Sequence, residues 1–159
     1  MNKRALIKKI IARLRAELEL YFRAAKAAHA EATHEQSRAE NKYDTRGLEA
    51  SYLARGQSRQ AAEMQAAIEA FEKLEVRAFA AGDPIDVGAV VELEHKSERT
   101  VYLIGPKAGG TEVMHEKREV LVITPQSPLG EQLQGKKQGD RLDLNLAGSR
   151  NQYRVLSVA

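Results

Sequence analysis

A heptad pattern of apolar side chains in the N-terminal half of the chain is the strongest constraint on the fold. Steps of three and four residues separate the members of its first part, which are Ile7, Ile11, Leu14, Leu18, Tyr21, Ala25, Ala28 and Ala32. This spacing is typical of the seam of a coiled coil and not of a strand, in which every second residue faces the core. The pattern predicts a helix that begins near Asn2 or Lys3 and reaches the region of Arg38.

A comparable seam follows a polar stretch at residues 38–47. Its members are Leu53, Met64, Ala67, Phe71, Leu74 and Ala78, with Gln57 and Gln60 at the two positions between Leu53 and Met64. Two helices with facing seams and a short turn predict an antiparallel coiled-coil hairpin, on the order of 50 Å long for arms of roughly 33 to 36 residues. The glutamines have two interpretations: a polar layer that fixes the register, or an outer hairpin kept slim to enter a partner's cavity.

The pattern changes at Gly82-Asp83-Pro84, which we interpret as a helix stop and a linker. The predicted domains are therefore 1–82, a coiled-coil hairpin with its tip near 38–47, and 83–159, a small β-rich domain. Runs typical of strands lie at 87–94, 100–104, 119–124, 141–146 and 152–158, with a loop at 105–110. A short helix at 127–134 has Ser127 as its N-cap, Pro128 in its first turn and Gly135 at its end. The predicted fold class is α+β, with a mostly antiparallel sheet and one short helix after the hairpin.

The composition excludes several classes of protein. The chain of 159 residues contains no cysteine, which excludes disulfides and thiolate metal sites and fits a reducing compartment. It has no run of about 18 apolar residues that would predict a membrane span. Lys8 and Lys9 interrupt the apolar stretch near the start, so we expect no signal peptide and a cytoplasmic location.

The net charge of +3 is small but unevenly distributed. Basic residues crowd the start of the first helix, and acidic residues gather around the predicted tip: Lys3, Arg4, Lys8, Lys9, Arg13 and Arg15 at the start, and Glu31, Glu35, Glu40, Asp44 and Glu49 near the tip. The basic cluster fits a solvated helix face, a contact for DNA or RNA phosphates or an acidic protein surface, or a membrane-surface helix. The nucleic-acid candidates are Lys3, Arg4, Lys8 and Lys9.

The residues offer little support for an enzyme with its own active site. His29 and His34 lie five residues apart, on different faces of a helix, and His95 and His115 fall in predicted loops. Neither Gly109-Gly110 nor Gly135-Lys136-Lys137 has the strand, turn and helix order of a phosphate loop, and no nucleophilic triad is evident. The acids at the tip fit either plain solvation or delivery of Mg²⁺ to a partner's active site, because Mg²⁺ prefers oxygen ligands.

Several segments resemble the Gre transcript-cleavage factors of bacterial RNA polymerase. Glu40-Asn41, Tyr43 and residues 48–57 are similar to the family's tip and second helix, and residues 100–106 to its second strand with a glycine-proline end. The stretch from Val122 is the most similar, through Ser127-Pro128-Leu129 to Gly135-Lys136-Lys137-Gln138-Gly139-Asp140. The order of these segments is more specific than any one of them.

The resemblance implies a coiled-coil finger that enters the polymerase secondary channel and an FKBP-like C-terminal domain that docks at the channel's outer rim. It implies no cofactor of the protein's own, Mg²⁺ shared with RNA polymerase, and indirect contact with the RNA and DNA of the elongation complex. The expected partner contacts are Asn41, Tyr43, Arg46, Ser127, Pro128, Lys136, Lys137 and Asp140. We expect a monomeric accessory factor that acts on the polymerase's active site.

One position at the tip departs from the family pattern. The family has an aspartate three residues before the glutamate that precedes asparagine; Glu40 matches that glutamate, but Ser37 stands where the aspartate is expected. Asp44 or Glu35 could compensate, because Asp44 lies one turn from Glu40 on a continuous helix. Glu40 and Asp44 are therefore the candidate catalytic and Mg²⁺-binding residues, and stimulation of RNA cleavage is left open.

Two further functions are compatible with the sequence. An FKBP-like domain with a coiled-coil arm could act as a peptide-binding chaperone or prolyl isomerase, although only Tyr102 and Tyr153 are aromatic in that domain. The basic start of the first helix could alternatively bind DNA or RNA directly, and strong dependence of binding on salt would then be expected of the isolated protein.

Overall fold

The computed structural model describes residues 1–33, 46–146 and 148–159. Contacts divide the chain into two compact units: a sheet unit, Met1–Ile11 with Glu69–Ala159, and a helical unit, Ala12–Ile68. Helix α1 spans Lys3–Thr33 and helix α2 spans Arg46–Glu72. The predicted start of the first helix is confirmed, and the side-chain oxygen of Asn2 accepts a hydrogen bond from the backbone of Ala5 at 3.0 Å. The predicted end near Arg38 lies outside the described residues.

Helix α2 ends earlier than the sequence predicts. The last helical contacts are a bond from the Lys73 amide to the Glu69 carbonyl at 3.0 Å and one from Leu74 to Phe71 at 3.3 Å. Beyond them the chain brings Phe79, 7% exposed, into the core of the sheet unit. The prediction that Leu74 and Ala78 continue a helical seam is therefore wrong, because burial of Phe79 competes with continuation of the helix.

The buried residues of the two helices overlap the predicted seams only in part. Buried positions are Leu6, Ile7, Ile10, Leu14 and Leu18 in α1, and Ala61, Ala67, Ile68 and Phe71 in α2. Leu6 and Ile10 were not assigned to the seam, whereas Ile11 is half-buried. Steps of four from Leu6 to Leu18 keep one face of α1 apolar. The coiled-coil pairing itself and the domain boundary at residue 82 stay predictions.

Six strands form one sheet in the order β3-β4-β2-β1-β6-β5. Their bounds are β1 (Val90–His95), β2 (Glu98–Ile104), β3 (Glu112–His115), β4 (Arg118–Ile123), β5 (Arg141–Leu146) and β6 (Ser149–Val158), and helix α3 (Pro128–Leu133) follows β4. Strands β2 and β4 are parallel, and the other neighbouring pairs are antiparallel. The prediction of a mostly antiparallel sheet is therefore confirmed, and the parallel pair, which the sequence did not predict, makes the sheet mixed. The FKBP-like assignment stays a prediction.

Strand β3, which the sequence did not predict, explains why β2 and β4 are parallel. Residues 112–115 form a tight hairpin with β4, so the chain first crosses to the far side of β4 and then returns in the direction of β2.

Strand β1 begins at Val90 and not at residue 87, because Gly88 has a φ of 95° and the Ala89 amide bonds to the Asp86 carbonyl. Strand β6 begins at Ser149, three residues earlier than predicted.

The core of the sheet unit lies on one face of the sheet, beneath α3. Its buried members are Phe79, Ile85, Ala89, Val91, Leu93, Ile104, Ile123, Leu133, Leu142, Val155 and Val158. On the other face, Phe71 and Val122 both lie 2.8 Å from the position that a Cβ on Gly105 would occupy. Both faces of the central strands are therefore packed, whereas the β5–β6 hairpin, at one edge of the sheet, is buried on a single face.

Candidate functional site

The serine-proline segment is held by its own hydrogen bonds. The Ser127 hydroxyl donates to the Thr124 carbonyl at 2.7 Å and accepts from the Gly130 amide at 3.1 Å. Pro128 occupies the first turn of α3, where its missing N–H costs nothing. A Cβ at Gly130 would lie 1.9 Å from the Thr124 carbonyl oxygen, so only glycine allows α3 to begin this close to the end of β4. The predicted cap, first turn and terminal Gly135, with a φ of 80°, are confirmed.

The turn after α3 places two cations at the surface. The Lys136 carbonyl accepts from the Ile85 amide at 2.8 Å, which ties this turn to the segment before β1. The Asp140 carboxylate accepts from the Lys137 amide at 2.9 Å, and the Asp140 amide donates to the Lys137 carbonyl at 3.0 Å. Asp140 therefore closes the turn, while the side chains of Lys137, exposed, and Lys136, half-buried, have no acid within 4 Å among the described residues.

The basic residues at the start of α1 have different environments. The Lys3 ammonium donates to the carbonyls of Arg77 at 2.7 Å and Ala159 at 2.8 Å, and lies 4.7 Å from the centre of the Phe79 ring. Burial, and secondarily the charge of Arg77, lower the pKa of Lys3 to about 8. Lys3 therefore anchors the helix start within the sheet unit.

Three other cations of this cluster differ from Lys3. The Lys9 ammonium donates to the Met114 carbonyl at 3.1 Å, while Arg4 and Lys8 are exposed. All three of these side chains are exposed, and their role in nucleic-acid binding stays a prediction. No sequence signal distinguished them from Lys3, because the distinction depends on Phe79 and the end of β6, which are distant in the chain.

The turn between β3 and β4 also contacts the start of α1. His115 is 4% exposed, and its Nε2 lies 3.1 Å from the Asn2 carbonyl oxygen. The Glu116 carboxylate accepts from the Asn2 amide at 3.1 Å, and this bond is the main reason that the pKa of Glu116 is lowered. His115 ends a strand and His95 ends β1, so the prediction that both lie in loops is wrong. His115 was assigned to a loop because strand β3 was not predicted.

The histidines and carboxylates of the described residues do not assemble into a metal site. Within residues 1–33, 46–146 and 148–159, no group of three or more potential ligands comes together. The His95 ring stacks on Tyr153 at 4.6 Å, and its Nδ1 lies 3.0 Å from the Gln152 carbonyl oxygen. Glu92 is held by Arg118 through two hydrogen bonds of 2.9 and 3.2 Å, which lower the pKa of this carboxyl. These groups have structural partners.

The second half of the chain matches a known family. The family model described as the C-terminal domain of the transcription elongation factors GreA and GreB matches residues 80–159, which is half of the sequence. This chain belongs to the GreA/GreB family. The serine-capped α3, the turn closed by Asp140 and the strands of the sheet unit all lie within the matched residues.

Solved structures of Gre-type proteins align with this family member over most of its length. GreA factor homolog 1 of Thermus thermophilus is 26% identical and covers 94% of both chains, with a TM-score of 0.39. Its Thermus aquaticus counterpart is 25% identical over 92% of both chains, with a TM-score of 0.41. A GreA/GreB factor from Nitrosomonas europaea is 20% identical over 74% of this chain and 94% of its own, with a TM-score of 0.36. No protein with a curated description matches the chain.

The predicted tip residues of this Gre-family protein lie outside the described part of the chain. They are Ser37, Glu40, Asn41, Tyr43 and Asp44. Arg46 is the first residue of α2. The roles predicted for these residues, in Mg²⁺ binding and in partner contact, stay predictions. No helix within the described residues is long and apolar enough to cross a membrane.

Proposed function

We propose that this protein binds bacterial RNA polymerase and modulates transcription elongation, with its tip at residues 38–47 inserted in the secondary channel. The observation that carries the proposal is the match of residues 80–159 to the transcription elongation factor family. In this proposal the protein is an accessory factor and the polymerase supplies the active site.

The lengths of the two helices support a long coiled-coil finger. Helix α1 has 31 residues and α2 has 27, which correspond to about 46 and 40 Å at the ordinary helical rise. Leu14 and Leu18 are buried in α1 and Ala67 and Ile68 in α2, so each helix has an apolar face to cover. Pairing of these faces is the proposed structure of the finger.

The proposed chemistry of the tip depends on Glu40 and Asp44. A hard cation such as Mg²⁺ is commonly held by one or two carboxylates and keeps several waters, so two acids suffice to share a metal with the polymerase. Ser37 offers a neutral hydroxyl where the family pattern has a carboxylate, which removes one charge. We therefore separate binding to the polymerase, which the family match supports, from stimulation of RNA cleavage, which depends on whether Asp44 replaces the missing acid.

The sheet unit is the proposed docking element at the outer rim of the channel. Lys136 and Lys137 present ammonium groups that are free to contact an acidic surface. Ser127, Pro128 and Asp140 act indirectly, because their described contacts hold α3 and the following turn in place. Substitution of Lys136 or Lys137 should weaken binding to the polymerase without unfolding the sheet unit. Changes at Ser127 should instead weaken binding by lowering the stability of the sheet unit.

The decisive experiment combines binding and RNA cleavage in purified elongation complexes. Binding is measured by co-sedimentation with RNA polymerase, and cleavage is followed in a backtracked complex with Mg²⁺. We compare wild type with Glu40→Ala, Asp44→Ala and Ser37→Asp, and use Glu63→Ala, an exposed acid in α2, as the matched control. Binding by all variants is expected, and Ser37→Asp should cleave at least as fast as wild type.

The outcomes distinguish the parts of the proposal. Cleavage by wild type that is lost in Glu40→Ala and Asp44→Ala, but not in Glu63→Ala, assigns a working shared metal site to this tip. Binding without cleavage makes the protein a non-cleaving occupant of the channel. Failure of the wild-type protein to bind the polymerase contradicts the proposal and favours the peptide-binding alternative.

A further inference from the structure

The exposed face of the β5–β6 hairpin carries arginines in excess of acids. The register of the two strands places Arg141 opposite Arg154, Asp143 opposite Gln152 and Asn145 opposite Arg150. These six side chains are exposed, whereas the intervening Leu142, Leu144 and Val155 are buried in the core. One face of the hairpin therefore serves the core, and the other is a polar surface with three arginines and one aspartate.

The single acid on this surface is already occupied. The Asp143 carboxylate accepts a hydrogen bond of 2.6 Å from the Arg150 guanidinium, and this contact raises the pKa of Arg150. Arg141 and Arg154 have no acid within 4 Å among the residues that the structure describes. Like charges directly opposite each other weaken a strand pair, so this arrangement opposes folding of the hairpin.

A groove runs beside the two unpaired arginines. Its volume is about 260 Å³, and it is lined by Glu94, Lys96, Arg141, Gln152, Tyr153 and Arg154. Lys96 comes from the turn between β1 and β2, where its backbone has a φ of 49°. Glu94, the cross-strand neighbour of Arg154, lies 4.0 Å from Arg99 on the next strand. The groove is therefore cationic on balance, with three positive groups and one shared acid.

We infer that this groove binds the phosphodiester backbone of single-stranded nucleic acid, with Arg141 and Arg154 as the phosphate contacts and Lys96 beside them. Guanidinium groups donate in a planar fork that matches phosphate oxygens, and the strand register places Arg141 directly opposite Arg154. The amide of Gln152 adds a neutral donor and acceptor on the same strand face. A short open groove suits a flexible single strand, which can follow the curvature of a sheet edge.

This site is distinct from the basic start of α1 and does not depend on binding to the polymerase. The relevant cations come from the β1–β2 turn and from β5 and β6, which lie in a different part of the chain from Arg4 and Lys8. The test therefore uses the isolated full-length protein. If the protein fails to bind the polymerase, the inference about this groove still stands.

The test measures fluorescence anisotropy of a labelled single-stranded oligouridine against protein concentration over a series of salt concentrations. Wild type should bind, and its affinity should fall as salt rises because counterions are released from the phosphates. Arg141→Gln with Arg154→Gln should weaken binding at least about tenfold, in line with loss of two charge-assisted contacts. The salt slope should fall by about 1.4, which is two contacts at the single-strand value.

Matched variants separate this site from charge and folding effects. Arg150→Gln, in the same hairpin but already paired with Asp143, should change affinity by less than about twofold. Arg141→Lys with Arg154→Lys keeps both charges and should retain the salt slope. The double glutamine variant should melt at the wild-type temperature or above it, because it removes a repulsive pair.

Three results would overturn the inference. The first is wild-type affinity and salt slope in the double glutamine variant. The second is loss of binding in Arg4→Gln with Lys8→Gln but not in the hairpin variant, which assigns binding to the helix start. The third is tighter binding of polyglutamate than of oligouridine, which assigns the groove to an acidic protein partner.

Discussion

The helical unit and the sheet unit bury different kinds of side chain. In the helical unit two of the buried residues of α2 are alanines, Ala61 and Ala67. The core of the sheet unit consists mostly of valine, isoleucine and leucine, with Phe79. An alanine removes little apolar area from water, whereas full burial of a larger aliphatic side chain contributes about 1.5–3 kcal/mol. Among the described residues, burial of large aliphatic side chains is therefore concentrated in the sheet unit.

The largest effect is expected in the core of the sheet unit. Leu103→Ala removes a fully buried side chain of β2 and should reduce the free energy of unfolding by about 2–5 kcal/mol, because it leaves a cavity. Leu18→Ala in α1, where the side chain is 8% exposed, should cost less. Urea unfolding followed by circular dichroism measures both. Equal losses at the two positions would contradict the contrast between the units.

The next largest effect is expected where α3 meets β4. Gly130→Ala places a methyl group against the Thr124 carbonyl oxygen, so the helix start must move, at a cost of about 1–3 kcal/mol or more. Gly110→Ala is a useful comparison, because a Cβ there meets nothing within 4 Å although φ is 96°. Thermal melting of both variants checks the steric argument, and a smaller loss at Gly130 than at Gly110 would refute it.

A smaller effect is expected at the cap of α3. Ser127→Ala removes the acceptor for the Gly130 amide and the donor to the Thr124 carbonyl, and should destabilise the sheet unit by about 1 kcal/mol. Ser149→Ala, at the exposed start of β6, should stay within about 0.5 kcal/mol of wild type. If the two serines prove equivalent in urea unfolding, α3 is not held by its cap.

The smallest effect concerns the pH dependence contributed by Lys3. Its pKa is lowered to about 8 from 10.5, so between these values the unfolded chain binds more protons than the folded one, and stability rises with pH. The partial exposure of this side chain limits the gain to less than about 1 kcal/mol. Urea unfolding of wild type and Lys3→Met from pH 7 to 10.5 isolates the contribution of Lys3 to the free energy of unfolding. A wild-type stability that falls relative to the variant over this range would contradict the assigned direction.

The parts of the fold that depend on local sequence could be predicted. Asn2 before α1, and Ser127, Pro128 and Gly135 around α3, are recognised by rules that span a few residues. Most strands were predicted from β-branched runs. The family's C-terminal segment was recognised from the same local patterns, and the match to residues 80–159 agrees with it.

The parts that were missed depend on distant partners. Strand β3 has four residues, of which only Val113 is β-branched, and it exists because β4 pairs with it. The early end of α2 depends on burial of Phe79 in the sheet unit. The pairing of Arg141 with Arg154 follows from the register of β5 and β6, which spacing alone does not fix. The predicted tip site lies outside the described residues.

Photocrosslinking from residue 43 tests whether the tip enters the secondary channel of the polymerase. A photoreactive phenylalanine analogue at Tyr43, with the same group at the exposed Met114 of β3 as a comparison, is incorporated and the protein is added to an elongation complex. We expect Tyr43 crosslinks in the walls of the secondary channel, and any Met114 crosslinks at the outer rim. Absence of polymerase crosslinks from Tyr43, or crosslinks from Tyr43 on the outer surface, would contradict the account.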